Sequence, residues 1–144
     1  MYTKLNCKAF TKVTLLIIAI LSTISCSDKD DPIGLWDDNI QLSKKDVVFT
    51  SKTDSVTITT KGSWWWIDNI SFQDSTYSYY GRDDINLESG SYYITEDDFI
   101  VERRDKNTLF IKLNQNNTGK KRNMDITVEA GNYFDHIFIE QAAE

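Results

Sequence analysis

Three consecutive tryptophans, Trp64, Trp65 and Trp66, are the residues of this chain best suited to hold a ligand. An indole face stacks on apolar C–H surfaces such as the faces of sugar rings, and its N–H can reach a hydroxyl. On an extended strand Trp64 and Trp66 point to one side and Trp65 to the other, so both faces carry indole. One face is expected to enter a core. The other is expected either to form a ligand platform or to be covered by the segment that follows. That segment is rich in tyrosine, serine and glycine: Tyr77, Tyr79 and Tyr80 lie between Ser75 and Asp84, and Tyr92 and Tyr93 follow Ser89-Gly90-Ser91. Tyrosine gives broad amphipathic contact at small entropic loss, but it also favours strands. The candidate ligand-binding set is therefore Trp64, Trp65, Trp66, Tyr77, Tyr79, Tyr80, Tyr92 and Tyr93, and packing of the tyrosines on a hairpin is the alternative.

Other chemistries find little support. His136 is the only histidine, so zinc sites of the usual His/Cys kind cannot be built. Its place in the alternating stretch Asp135-His136-Ile137 predicts an outward-facing strand residue, and no Gly-x-Ser-x-Gly elbow accompanies it. Asp83-Asp84 and Glu96-Asp97-Asp98 carry oxygen ligands of the kind calcium takes, without EF-hand spacing. They are read as solvated acidic turns. No catalytic residue, metal site or cofactor is expected. The formal charge of −6 opposes phosphate backbones and excludes a general nucleic-acid partner.

The elements that must position the aromatics are strands. Val56 and Ile58 alternate with Thr57 and Thr59; Leu109, Ile111 and Leu113 alternate with Phe110 and Lys112; Met124, Ile126 and Val128 form another row. Ile137 and Ile139 share a face with Tyr133 and Gln141. This period of two marks half-buried strands. Further strands are expected to start at Ile40 and Leu42 and resume at Val47–Phe49, and to run over Trp64–Phe72 and Phe99–Arg104, with turns at Asn116–Lys120 and Ala130–Asn132. About seven short strands predict an all-β, immunoglobulin-like β-sandwich over residues 40–144. A closed lipocalin-type barrel is the alternative architecture.

Several stretches carry a family resemblance: Asp38-Asn39-Ile40-Gln41-Leu42-Ser43, Ser63-Trp64-Trp65-Trp66-Ile67, Asn114-x-Asn116-x-Thr118-Gly119-Lys120-x-Arg122, Ala130-Gly131-Asn132-Tyr133-Phe134-Asp135 and Ile137-x-Ile139-x-Gln141. Together they resemble the BACON-like domains of Bacteroidetes lipoproteins, over roughly Ile40 to Gln141. The resemblance implies an immunoglobulin-like domain without catalytic activity. The resemblance further implies either carbohydrate binding or a structural role, as a spacer or a protein-interaction module.

The N-terminal region is expected to set location. Lys4, Lys8 and Lys12 precede an unbroken apolar run from Leu15 to Leu21. A membrane-crossing helix needs about 20 apolar residues, so residues 1–25 read as a cleaved signal peptide. Leu21-Ser22-Thr23-Ile24-Ser25-Cys26 resembles a lipobox, which implies lipidation at Cys26 and stable anchoring by its acyl chains. Ser27-Asp28-Lys29-Asp30-Asp31 resembles the acidic export signal of Bacteroidetes surface lipoproteins, and residues 26–39 read as a tether. The expected setting is the outer membrane, with the domain displayed at the cell surface and a polysaccharide or a surface protein as partner. Loss of the three lysines takes the formal charge from −6 to −9. With Cys7 in the signal and Cys26 acylated, no cysteine is left for a disulfide, so the fold must stand on its core.

Overall fold

The computed structural model describes residues 37–144, so the segment expected to be a signal peptide, Cys26 and most of the expected tether lie outside the described residues. The described chain is all-β. Its strands are β1 (Asp46–Phe49), β2 (Asp54–Thr59), β3 (Trp66–Phe72), β4 (Ser75–Ser78), β5 (Tyr92–Thr95), β6 (Phe99–Asp105), β7 (Thr108–Leu113), β8 (Arg122–Ala130) and β9 (Tyr133–Gln141). They form a five-stranded sheet, β1-β9-β8-β3-β4, and a four-stranded sheet, β2-β7-β6-β5. β1 runs parallel to β9, and every other pairing is antiparallel.

The two sheets enclose one core. Ile58, Val101, Leu109, Ile111 and Leu113 line the inner face of one sheet, and Ile67, Ile70, Met124, Ile126, Val128, Ile137 and Ile139 line the other. This is a sandwich of two layers rather than a closed barrel. It has nine strands where the alternation pattern predicted about seven. The additional strands, β4 and β5, both lie in the tyrosine-rich stretch. Their alternation is carried by Tyr77, Tyr92 and Ile94, in the stretch where packing of the tyrosines on a hairpin is the alternative to a binding loop; they form two strands, β4 on β3 and β5 on β6. Val47–Phe49 forms a strand as expected, but the start expected at Ile40 and Leu42 is corrected: β1 begins at Asp46, and Leu42 makes only an isolated bridge to Thr60.

Two local features set the geometry at one end of the sandwich. β3 and β8 pair with a register shift between Ile67 and Asn69, a β-bulge at Asp68. Before it Ile67 faces inward; after it Ile70 and Phe72 do. A one-residue insertion reverses the side-chain parity of everything on its far side. At the same end β8 and β9 are joined by Gly131-Asn132, with Gly131 at φ 66°. That is the first-position glycine a tight hairpin turn of the type II′ kind requires.

Candidate functional site

The bulge decides which tryptophan is core. Trp65 is 2% exposed and lies on the inner side with Ile67. Its indole N–H donates to Thr60 Oγ1 at 3.0 Å, and that hydroxyl donates to the Gly62 carbonyl at 2.6 Å. The backbone here is held close: a Cβ on Gly62 would meet the Asn39 carbonyl oxygen at 2.0 Å, so only glycine fits. Trp65 cannot stack on a ligand while it is used this way, and its place in the ligand-binding set is corrected to the core.

Trp64 and Trp66 share the outer side. Trp66 pairs across the sheet with Glu129 and donates its indole N–H to that carboxylate at 3.1 Å. Trp64 is 71% exposed. Its ring meets Trp66 edge-on at 5.4 Å between centroids and 83° between planes. Its Cζ3 would lie 3.6 Å from a Cβ on Gly131, so the indole also leans on the bare hairpin turn. The platform is therefore braced by a carboxylate, a second indole and a glycine turn rather than left to swing.

Beside it lies an open groove of about 470 Å³, lined by Ser63, Trp64, Trp65, Trp66, Glu88, Gly90, Arg103 and Lys106. Pockets of about 300–1,000 Å³ accommodate small organic ligands. Arg103 comes from the inward row Phe99-x-Val101-x-Arg103 of β6 and is 3% exposed. Its guanidinium lies 4.1 Å from the Trp65 ring centroid. It donates to the carbonyls of Ser89 (3.1 Å), Ser63 (3.1 Å) and Lys106 (3.3 Å), which ties three loops together around the groove. Its Nε is buried without a partner among the described residues. Burial holds the Arg103 pKa below its ordinary value, opposed by Tyr92 and Asp105.

The tyrosines do not gather here as one surface. Tyr77 meets Phe99 edge-on at 5.4 Å and packs on the core. Tyr79 is 1% exposed and donates its hydroxyl to Glu96 at 3.0 Å. Tyr92 is half-buried, and its hydroxyl accepts the Ile67 N–H at 3.0 Å, linking the two sheets beside Trp65. Burial pushes the Tyr92 pKa up to about 12. Tyr77, Tyr79 and Tyr92 are thus structural, a second correction to the candidate set. Tyr80 is 82% exposed, and Tyr93 is exposed on the outer face of β5. Tyr93 lines a separate shallow depression with Ser91, Tyr92, Glu102, Arg103 and Arg104. Of the expected set, Trp64 and Trp66 form the platform, and Tyr80 and Tyr93 are free to touch a ligand elsewhere.

Sequence reasoning missed Arg103, Glu88, Lys106 and Glu129. A signal for Arg103 was present, because its parity with Phe99 and Val101 points it inward. Glu88 and Lys106 come from loops and carry no such signal. His136 is half-buried on the outer face of β9, stacked on Phe138 at 5.6 Å with Nδ1 3.1 Å from Asp125 Oδ1. Glu96 is taken by Tyr79 and Asp98 by Arg122 at 2.7 Å. Among the described residues no group of three His, Cys, Asp or Glu side chains is placed to hold a metal.

The opposite end of the sandwich collects the polar residues of the family-like motif. Arg122 donates from Nε and Nη2 to Gln141 Oε1 (3.0 and 2.6 Å), from Nη1 to Asp98, and from Nη2 to the Asn114 carbonyl. Gln141 Nε2 donates to the carbonyls of Lys52 (3.0 Å) and Asn114 (3.1 Å). Asn116, fully buried, donates to the carbonyls of Lys120 (2.7 Å) and Ala142 (2.8 Å), and its Oδ1 accepts from Thr118. The motif residues Asn114, Asn116, Thr118, Arg122 and Gln141 therefore form a lock that closes this end.

No family model matches the chain. No curated protein matches it either. Among solved structures the fold is similar to that of a protein from Bacteroides thetaiotaomicron determined by NMR, with a TM-score of 0.60 and 23% identity over 79% of this chain and 94% of that one. It also overlaps in part a Bacteroides ovatus GH5 xyloglucanase solved with a XXXG heptasaccharide (TM-score 0.44, 20% identity). That overlap covers 72% of this chain and 19% of the xyloglucanase. The chain thus shares its β-sandwich fold with a Bacteroides protein.

Proposed function

We propose that this chain is a non-enzymatic, lipid-anchored cell-surface domain that binds extracellular carbohydrate on the Trp64–Trp66 platform. The observation that carries the reading is Trp64: a large aromatic ring, 71% exposed, braced in a fixed orientation at the lip of a groove. A soluble fold gains little by holding an indole in water, whereas a sugar face gains from meeting one already oriented. The groove adds hydrogen-bonding groups at Ser63, Glu88 and Lys106, and recognition needs no cofactor. The resemblance to BACON-like domains supports the same assignment, and the lipobox-like stretch at Cys26 supports display from the outer membrane of a Bacteroidetes cell.

The test is tryptophan fluorescence titrated with a panel of oligosaccharides. Binding is expected to shift the emission. Trp64→Ala is expected to abolish the shift with only a small fall in the urea midpoint, while Tyr80→Ala and Tyr93→Ala report whether either tyrosine extends the site. A panel without response sinks the reading.

A second reading has its own observation. Val48, Phe134 and Phe138 are exposed on the edge and outer face of the five-stranded sheet. Apolar groups displayed on a sheet favour a structural or protein-interaction module, as a spacer or part of an adhesin. That module would ignore every glycan yet retain an outer-membrane protein in a pull-down, and would lose it on Phe138→Ser.

A further inference from the structure

The charges around the groove narrow the ligand class. Arg103 is buried at its base, yet it forms no ion pair with a described carboxylate. Its partners are backbone carbonyls, which are dipoles and leave its unit charge unbalanced. Asp105 is close enough to act on it through space, but that carboxylate is turned to the Asn107 backbone N–H at 2.8 Å. Burial lowers the Arg103 pKa without neutralising it, because a guanidinium keeps its proton in any ordinary protein setting.

A second cation stands at the mouth. Lys106 lies in the turn between β6 and β7, is exposed, and is in no ion pair with a described carboxylate. Its stem runs along Gly90: a Cβ there would meet Lys106 Cγ at 3.2 Å and Cε at 3.6 Å. The missing side chain at Gly90 thus leaves the lysine room to lie over the groove. Glu88 is the one carboxylate among the lining residues, against two cations; Glu129 and Asp105 lie close by, each turned to a donor of its own, the Trp66 indole N–H and the Asn107 backbone N–H.

We infer that the Trp64–Trp66 groove selects saccharides bearing an isolated anionic group, a uronate carboxylate or a sulfate ester, seated against Lys106 above the Arg103 guanidinium. The inference rests on the carbohydrate reading of this site and names its ligand class. The sugar face lies on Trp64. Lys106 contacts the anion directly, and Arg103 acts through its field, since its Nε is buried and its other nitrogens hold backbone carbonyls. Glu88 sets a threshold against weakly held anions. The acidic remainder of the surface disfavours densely charged polymers, which is why the anion is a single group.

The experiment is calorimetric or fluorescence titration of the full domain with a panel of uronate-bearing, sulfated and neutral oligosaccharides. Each acidic member is paired with its carboxyl-reduced or desulfated form. Binding is expected for acidic members and to vanish on neutralisation; which pair responds tells carboxylate from sulfate. Lys106→Gln is expected to weaken acidic binding about tenfold, as for loss of one charge-assisted contact, and Glu88→Gln to tighten it about threefold. Both side chains are exposed, so an unchanged urea midpoint is expected to show that the variants fold. Equal binding of each acidic member and its neutralised form overturns this inference and leaves carbohydrate binding standing. Acidic binding indifferent to Lys106→Gln overturns the seat at Lys106. Silence across the whole panel overturns both.

Discussion

Arg122 and Arg103 are each 3% exposed, and each sits at one end of the sandwich, but in unlike company. Arg122 has a carboxylate, a side-chain amide and a carbonyl arranged around it, with the Phe72 ring 5.3 Å away. Arg103 has carbonyls of loop residues, an indole face and an Nε with no partner. The Arg122 end is closed by buried polar groups that satisfy one another. The Arg103 end is left open around a groove. Taking a charge out of water is costly, and the cost is offset least where no opposite charge meets it. The same contrast separates the tryptophans of the open end, where Trp65 belongs to the fold and Trp64 does not.

The largest expected effect comes from Trp65. Trp65→Ala removes a fully packed indole, its hydrogen bond to Thr60 and the surface on which Arg103 rests. A loss of about 3–5 kcal/mol is expected, read as a fall in the urea midpoint. A loss below about 1 kcal/mol would mean that the open end is loosely packed and that Trp65 belongs with Trp64 after all.

The two arginines are compared directly by replacing each with methionine. Arg122→Met strands Gln141 Oε1 in a buried setting, takes the cation from Asp98, and is expected to cost about 3 kcal/mol. Arg103→Met also frees carbonyls, but these belong to part-buried loops that water can reach, and it removes an unbalanced charge. About 1 kcal/mol is expected. Equal losses in the urea midpoint would erase the difference between the two ends.

Much of the closed end was legible in the sequence, and the open end was not, for a physical reason. The rows Leu109-Ile111-Leu113 and Met124-Ile126-Val128 are regular alternations, and they appear as read. Gln141 shares the inward parity of Ile137 and Ile139, so its burial follows from the pattern. The tryptophans resist the same logic. Straight alternation from Phe72 back to Trp64 would put Trp64 and Trp66 in the core and Trp65 outside. The bulge at Asp68 inverts that outcome, and its sequence, Ile67-Asp68-Asn69-Ile70, contains no glycine or proline to announce it. Tyr77, Tyr79 and Tyr92 mislead in another way. The features that suit tyrosine to a binding loop, a wide ring and a polar tip, also suit it to a sandwich margin, and there the tips bond Glu96 and the Ile67 N–H.

Alkaline titration sharpens the comparison by a smaller amount. Tyr92, beside Arg103 in the β5–β6 register, has a pKa raised to about 12 by burial. In the unfolded chain the phenol ionises near its ordinary value of about 10. Because the folded value is the higher one, the stabilising contribution is complete below about pH 10 and is lost as the pH climbs toward 12. Tyr79 is shifted the same way by burial and by Glu96. Stability is therefore expected to fall between pH 10 and 12. Tyr92→Phe is expected to flatten part of that fall while costing about 1 kcal/mol at neutral pH, since the Ile67 N–H loses its acceptor. Urea midpoints measured across this range check both. An unchanged alkaline slope would place the sensitivity at Tyr79, away from the open end.

The smallest expected effect is the one that best separates a residue kept for the fold from one kept for a ligand. Trp64→Ala removes an edge contact with Trp66 and a contact with the Gly131 turn, both at the surface. An aromatic pair is worth about 0.5–1.5 kcal/mol when buried, so an exposed one is expected to cost about 0.5 kcal/mol. Trp65, its neighbour in sequence, should therefore cost several times more. The ratio depends on one backbone feature, the bulge at Asp68, and on no difference in side-chain chemistry. If Trp64→Ala instead lowers the urea midpoint as far as Trp65→Ala, the outer indole is packed in solution, the groove beside it is closed, and the two ends of the molecule are alike.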